Sequence, residues 1–164
     1  EIKEIPTIRF HEAKQIMEEK FGHKSKNRYD LNPDEEVLLC QWAKEEHDSD
    51  FVFVTHFPSA KRPFYAKDDP EDPKLALSFD LLFRGLEITT GGQRIHDYQE
   101  QMDKLAARKM NAELFESFTM LHKYGMPPHG GLGIGLERLT MKLVGEDNVR
   151  ETTLFPRDLS RLEP

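Results

Sequence analysis

Arg138, Glu87 and Arg94 have the side-chain types that bind a phosphate, a divalent cation and a carboxylate, and each sits among glycines and hydroxyls. Arg138 closes the run Gly131-Leu132-Gly133-Ile134-Gly135-Leu136-Glu137-Arg138, which changes period halfway. Leu132, Ile134 and Leu136 alternate with glycines, the period of a strand, whereas Leu136, Leu139, Thr140 and Leu143 recur at i, i+3, i+4 and i+7, the period of a helix. The spacing predicts a strand that runs straight into a helix with Arg138 in its first turn. Helix amides and a guanidinium converging at one end suit a phosphate. The glycines allow a ligand to lie against the backbone.

The second segment is Ser78 to Tyr98. Ser78 to Gly85 reads as one strand and Leu86-Glu87-Ile88-Thr89-Thr90 as another, followed by Gly91-Gly92 and then Gln93-Arg94-Ile95-His96-Asp97. Strict alternation puts Leu86, Ile88 and Thr90 on one face and Glu87 and Thr89 on the other. Carboxylate and hydroxyl oxygens suit magnesium, with substrate phosphates completing its shell. Arg94 can hold a carboxylate through a two-pronged hydrogen bond. Read singly, each segment competes with a plainer account: a tight strand–helix joint, or a surface hairpin with exposed charges.

Together the two segments carry a resemblance. Residues 131–138 resemble motif 3 of the class II aminoacyl-tRNA synthetases, and residues 85–98 resemble the amino-acid-binding strand of the aspartyl enzymes of archaeal and eukaryotic type. Phe57 to Tyr65, Tyr124 to Gly131 and Leu154 to Asp158 agree with further blocks in the family's order, so the likeness covers most of Phe51 to Pro164. Residues 1–50 match more loosely, as the variable connection inside the catalytic domain. Arg62-Pro63-Phe64 and His96 favour the aspartyl over the asparaginyl enzymes.

The resemblance implies an α+β fold containing part of the class II antiparallel sheet flanked by helices. It implies an ATP-binding set of Glu87, Gly135, Leu136, Glu137 and Arg138, with Arg138 on the γ-phosphate and against the adenine. Glu87 and Thr90 would hold Mg2+, and Thr90 and Arg94 would hold L-aspartate, with Arg94 reading its side chain. Thr90 stands where many relatives have serine, so a methyl group is added beside the same hydroxyl. Lys61 and Arg62 fall in the loop that closes near the amino acid. The implied reaction joins aspartate to ATP as an adenylate and passes it to tRNA. Glu87 and Arg138 are its catalytic residues, and positioning and charge stabilisation carry the chemistry.

No Phe-Arg-x-Glu block of the motif 2 kind precedes Phe51. Residues 1–164 are therefore expected to be the C-terminal part of a catalytic domain, without motifs 1 and 2 or the anticodon-binding domain. A homodimer and most tRNA contacts would belong to those other regions, and the fragment would be inactive alone. A sheet cut where motif 2 pairs would expose an edge. Two alternatives stay open: an asparagine-forming ligase or asparaginyl-tRNA synthetase on the same core, and a non-catalytic relative that binds a partner.

The chain has 164 residues, enough for one core, and a net charge of −7, which argues against tight unaided RNA binding. A single cysteine, Cys40, gives no disulfide framework and suits a reducing compartment such as the cytoplasm. No apolar run is long enough to span a membrane. The seven histidines form no His-x-His or His-x-x-x-His pair, which disfavours zinc. His96 is read either as orienting Arg94 or Glu87, or as a packed structural residue.

The elements that must position the site follow from periodicity. Ala13, Ile16, Met17 and Lys20 predict a first helix closed by Phe21, and Gly22 to Asp30 a polar, basic loop. Asn32-Pro33-Asp34-Glu35 is a helix start, with Trp42 as core. Phe51 to Thr55 reads as a strand and the acidic stretch Lys67 to Lys74 as a solvated loop. A helix over Asp97 to Lys109 is expected under the sheet, with Tyr98, Met102, Leu105 and Ala106 inward. Asn111 is expected to cap a helix that buries Leu114, Phe115, Phe118 and Leu121, and Val149 to Phe155 to form a strand.

Overall fold

The computed structural model describes residues 4–163, so the ends of the expected 1–164 unit lie outside the described residues. Five strands form one sheet in the order β1 (Thr7–Arg9), β2 (Phe51–Thr55), β3 (Ser78–Phe83), β4 (Leu86–Arg94) and β5 (His129–Ile134). The β1–β2 pair is parallel and the other three pairs are antiparallel. The α+β expectation is borne out. β5 pairs only with β4 among the described residues, so its outer edge is open.

Helices α1 (Phe10–Phe21) and α2 (Pro33–His47) cover one face of the sheet. Phe10, Ala13 and Met17 of α1 and Leu39, Trp42 and Ala43 of α2 bury against Val52, Val54, Phe57 and Leu82. α2 begins where Asn32-Pro33 predicts: the Glu35 carboxylate accepts the Asn32 N–H at 2.8 Å. Glu35 is 0% exposed, and the Lys14 ammonium donates to it at 2.8 Å. Burial pushes the Glu35 carboxyl up, but hydrogen bonds from Lys14, Ser25 and the Asn32 amide outweigh this and leave it below the usual range.

On the opposite face Phe51 stacks on Phe83 at 4.3 Å and Phe53 meets Phe79 edge-on at 5.5 Å. The β3–β4 hairpin turns through Arg84 (φ 47°) and Gly85 (φ 84°). Two successive positive φ values make the tight turn whose twist matches paired strands. Arg84 accepts this conformation while bonding Asp50 at 3.0 Å and the Lys142 carbonyl at 3.0 Å.

α3 (Tyr98–Ala107) starts at Asp97, whose side chain accepts the Glu100 N–H at 2.8 Å. It packs against α4 (Glu116–Lys123) and the 3-10 turn before it, rather than under the sheet. Gln101, which the apolar pattern leaves out, is buried with its amide donating to the Phe64 carbonyl at 3.1 Å, whereas Ala106 faces outward. Asn111 caps the 3-10 turn Ala112–Phe115, and Phe115 and Phe118 gather on Phe64 as expected. Leu114 and Leu121 are exposed instead, since the change from 3-10 to α geometry at Glu116 rotates them off the buried side.

α5 (Leu136–Val144) follows β5 after Gly135, as the period change predicts. Its anchor is Met141, while Leu136 and Leu143 are exposed, so the expected stripe is not the buried one. Val149 to Phe155 is not a strand: Val149–Thr152 is a 3-10 turn against α5, held by the Thr152 hydroxyl on the Glu137 and Val149 carbonyls. The acidic loop is tied down more than a solvated loop requires. Asp69 is buried, and Asp68 bonds Lys104 and Ser59.

Replacing Glu35 by alanine should cost about 3 kcal/mol in urea unfolding at pH 7, because a fully buried partner of Lys14 is lost. The folded carboxyl lies below its unfolded value of 4.5, so this contribution is complete above that pH. It is lost as pH falls through the folded value, and the variant's deficit should shrink there.

Candidate active site

The site sits on the helix-covered face, where β3, β4 and β5 run beyond α1. In the β3–β4 ladder Leu82 pairs with Glu87 and Leu81 with Thr89, so Ile88 is an extra residue with no partner of its own. This bulge corrects the alternation expected from sequence. Glu87 and Thr90 share a face with Asp80, and Thr89 lies on the other. The expected pairing of Glu87 with Thr89 fails because one inserted residue flips every side chain that follows.

Asp80 is a site residue that the sequence reading missed. The Arg62 fork donates to both its oxygens at 3.0 and 2.8 Å, and the Thr90 hydroxyl donates at 2.6 Å. Arg62 also lies 3.7 Å over the Phe57 ring and donates to the Thr90 oxygen at 3.3 Å. A lone carboxylate inside the apolar strand Ser-Phe-Asp-Leu-Leu-Phe was the available signal. Lys61, its neighbour in the same loop, is exposed.

Both backbone groups of Glu87 are held by charged side chains. Glu36 of α2 accepts its N–H at 2.7 Å, and Arg138 donates to its carbonyl at 2.9 Å. The Arg138 guanidinium is also 3.9 Å from the Glu87 carboxylate. The Gly135 amide donates to the Ile88 carbonyl at 2.8 Å, which fastens the start of α5 beside the bulge. Gly135, Leu136, Glu137 and Arg138 thus form the strand–helix corner next to Glu87. Glu36 was also missed, because an acid in a helix's first turn reads as ordinary cap composition.

Burial, then the nearby Asp80 charge, pushes the Glu87 carboxyl above its usual range, against the pull of Arg138 and Arg62. Burial likewise raises Glu36. A half-buried carboxylate disfavoured as an anion, on the same strand face as a hydroxyl, fits a divalent cation that would relieve it. The Thr90 hydroxyl gives its proton to Asp80, so a lone pair of its oxygen can meet such an ion beside the Glu87 carboxylate, whereas both Asp80 oxygens already accept from Arg62. Burial raises the Cys40 thiol to about 11, which leaves it no role as a nucleophile.

A cavity of about 260 Å³ opens beside these groups, lined by Arg62, Tyr65, Ser78, Thr90, Arg94 and Gly131 among others. Its size suits a small metabolite. Arg94 lies 4.3 Å over the Tyr65 ring and has no acidic partner among the described residues. A Cβ on Gly131 would stand 2.6 Å from Arg94 Nε, so the glycine makes room for the guanidinium. The Ser78 hydroxyl is buried in the wall of this cavity with no hydrogen-bond partner among the described residues. The His96 Nδ1 is also buried and unpartnered, so no ring hydrogen bond through that atom orients Arg94 or Glu87.

Residues 1–159 match the family model for tRNA synthetases class II (D, K and N). The chain belongs to this family. It is 52% identical over 165 residues to the aspartate–tRNA(Asp/Asn) ligase of Deinococcus radiodurans, covering 98% of this chain and 38% of the relative. Aspartyl-tRNA synthetase from Entamoeba histolytica superimposes with a TM-score of 0.92 at 36% identity, over 99% of this chain and 33% of that one. Asparaginyl-tRNA synthetase from Pyrococcus horikoshii, complexed with asparaginyl-adenylate, gives 0.86 at 36% identity, over 98% and 36%. The chain is an aspartate–tRNA ligase homologue that spans about a third of the length of such relatives. No helix among the described residues is long and apolar enough to cross a membrane.

Glu87 gives a pH signature. Its folded carboxyl lies above the unfolded 4.5, so its contribution is fully present below that pH and is lost as pH rises through the folded value. In thermal melts without divalent cations, Glu87→Gln should therefore raise Tm at pH 7, with the difference vanishing towards pH 4. A gain that grows as pH falls would contradict the assignment.

Proposed function

We propose that a protein of the relatives' length built on this chain is an aspartate–tRNA ligase of the cytoplasm, which activates L-aspartate with ATP and transfers it to tRNA. The observation that carries the amino-acid choice is the Arg94 fork, at a small cavity without an acidic partner among the described residues. Its planar pair of donors matches a side-chain carboxylate, whereas Arg62 is already spent on Asp80. Tyr65 and Gly131 fix the plane and depth at which Arg94 meets that carboxylate.

The aspartate α-carboxylate attacks the α-phosphorus of ATP, forming aspartyl-adenylate and releasing pyrophosphate. A tRNA terminal hydroxyl then takes the aspartyl group and AMP leaves. In this reading Gly135, Leu136, Glu137 and Arg138 receive ATP, with Arg138 stabilising charge that builds on the leaving phosphates. Glu87 and Thr90 would hold Mg2+, whose charge would offset that of the phosphates when bound. Glu36 keeps the Glu87 backbone from drifting, and Arg62 keeps Asp80 and Thr90 in register. No side-chain nucleophile is required.

Aspartate-dependent ATP–pyrophosphate exchange tests this on a protein of full relative length that contains the chain, with asparagine as control. Exchange with aspartate alone is expected, and Arg138→Ala should lower it by about 10²–10³-fold. Exchange with neither amino acid would sink the reading in favour of a non-catalytic relative. Gly131→Ala should raise the KM for aspartate and leave that for ATP near its starting value, because the new methyl displaces only Arg94.

A further inference from the structure

Residues 20–29, Lys-Phe-Gly-His-Lys-Ser-Lys-Asn-Arg-Tyr, contain four Lys and Arg residues and no carboxylate, in a chain whose net charge is −7. The structure arranges this segment in two rows. His23, Ser25 and Asn27 turn inward. His23 Nε2 lies 3.3 Å from Glu35, Lys14 donates to the Ser25 hydroxyl at 2.8 Å, and the Asn27 side-chain oxygen accepts the Tyr29 and Asp30 amides at 3.0 and 3.2 Å. Lys24, Lys26 and Arg28 alternate with them and face out.

The outward row is available. The Lys24 side chain is 82% exposed and touches only Glu18 at 3.3 Å, a surface pair of small value. Lys26 and Arg28 have no acidic partner among the described residues. Tyr29, 48% exposed, stands beside the last cation. Successive cations stand two residues apart, so their Cα atoms are separated by at most about 7 Å, comparable to the step between phosphates of an unpaired strand. The row ends at the active site, since the Asp30 carboxylate reaches Arg62 at 4.0 Å and its charge is felt at Glu87.

We propose that Lys24, Lys26, Arg28 and Tyr29 form a docking strip for single-stranded nucleic acid, with the cations on successive phosphates and the tyrosine under a base. Identifying that strand as the 3′ end of a tRNA rests on the function proposed above. The anchored inner row supplies the rigidity: Lys14, Glu35 and Asn27 fix the loop before any ligand arrives, so little order need be gained on binding. The strip holds the strand at the site's mouth. The acidic remainder of the chain keeps affinity modest and salt-sensitive.

The test is fluorescence anisotropy of a labelled unpaired oligoribonucleotide against the 164-residue chain, from 50 to 200 mM salt, beside a duplex of equal length. The Lys24→Ala/Lys26→Ala/Arg28→Ala variant should lower the salt slope by about 2, so the parent loses about 20-fold more affinity than the variant over that range. Tyr29→Ala should weaken the single strand about tenfold and the duplex little. Lys109→Ala/Lys123→Ala should leave both unchanged, and Lys→Arg replacements at 24 and 26 should restore binding. Absence of binding at 50 mM, an unchanged slope in the triple variant, or equal affinity for the duplex overturns the strip. Far-ultraviolet dichroism confirms that each variant is folded. Pyrophosphate exchange separates the two readings. If exchange is intact but the strip is silent, only the strip falls. If exchange is absent but binding depends on the strip, the strip stands and the ligase reading falls.

Discussion

Ile88 is the residue on which the site hangs. Inserted into β4 with no partner on β3, it turns Thr90 onto the face that carries Glu87 and Asp80. Without the insertion, regular pairing from the hairpin would set Thr89 opposite Asp80 and Thr90 opposite Phe79, on the far side of the sheet from Glu87. An inserted residue leaves backbone groups without ladder partners, and buried ones must find others. Here Glu36 takes the Glu87 amide, Arg138 takes its carbonyl, and the Gly135 amide takes that of Ile88. The residues that satisfy the bulge are thus the ones that build the corner between α2, β4 and α5.

The two arginines of the cavity divide their work by pairing. Arg62 is almost enclosed, stacked on Phe57 and locked to Asp80 through both nitrogens, a strong and geometrically specific pair. It is part of the wall. Arg94 has an aromatic shelf and a glycine-made recess but no anion of its own among the described residues. A wall cation and a cation without an acidic partner let one pocket be preformed and still present a positive charge to what enters it.

Much of this was legible in the sequence because it is local. The Asn32-Pro33 cap, the strand-to-helix change at Leu136 and the turn at Gly85 depend on neighbours within a few positions, and all three lie where spacing puts them. What stayed hidden is set across distance. The bulge is a register event between strands and leaves no mark in the alternation of Leu-Glu-Ile-Thr-Thr. Glu36 meets Glu87 across 51 positions, and Asp80 becomes a site residue only when Arg62 reaches it across 18. The outward turns of Leu114, Leu121 and Leu143 likewise depend on which side each helix offers the rest of the molecule.

Cys40 lies one helical turn beyond Glu36, close to the amides of Gly85 and Leu86, behind the hairpin that carries Glu87. Its thiol is buried and almost wholly protonated near neutrality. With 7% of the residue exposed, an alkylating reagent reaches it mainly when α2 lifts from the hairpin. The modification rate becomes a clock for that opening, reporting how often α2 releases the strand that carries Glu87, from a single native atom and without a label near the site.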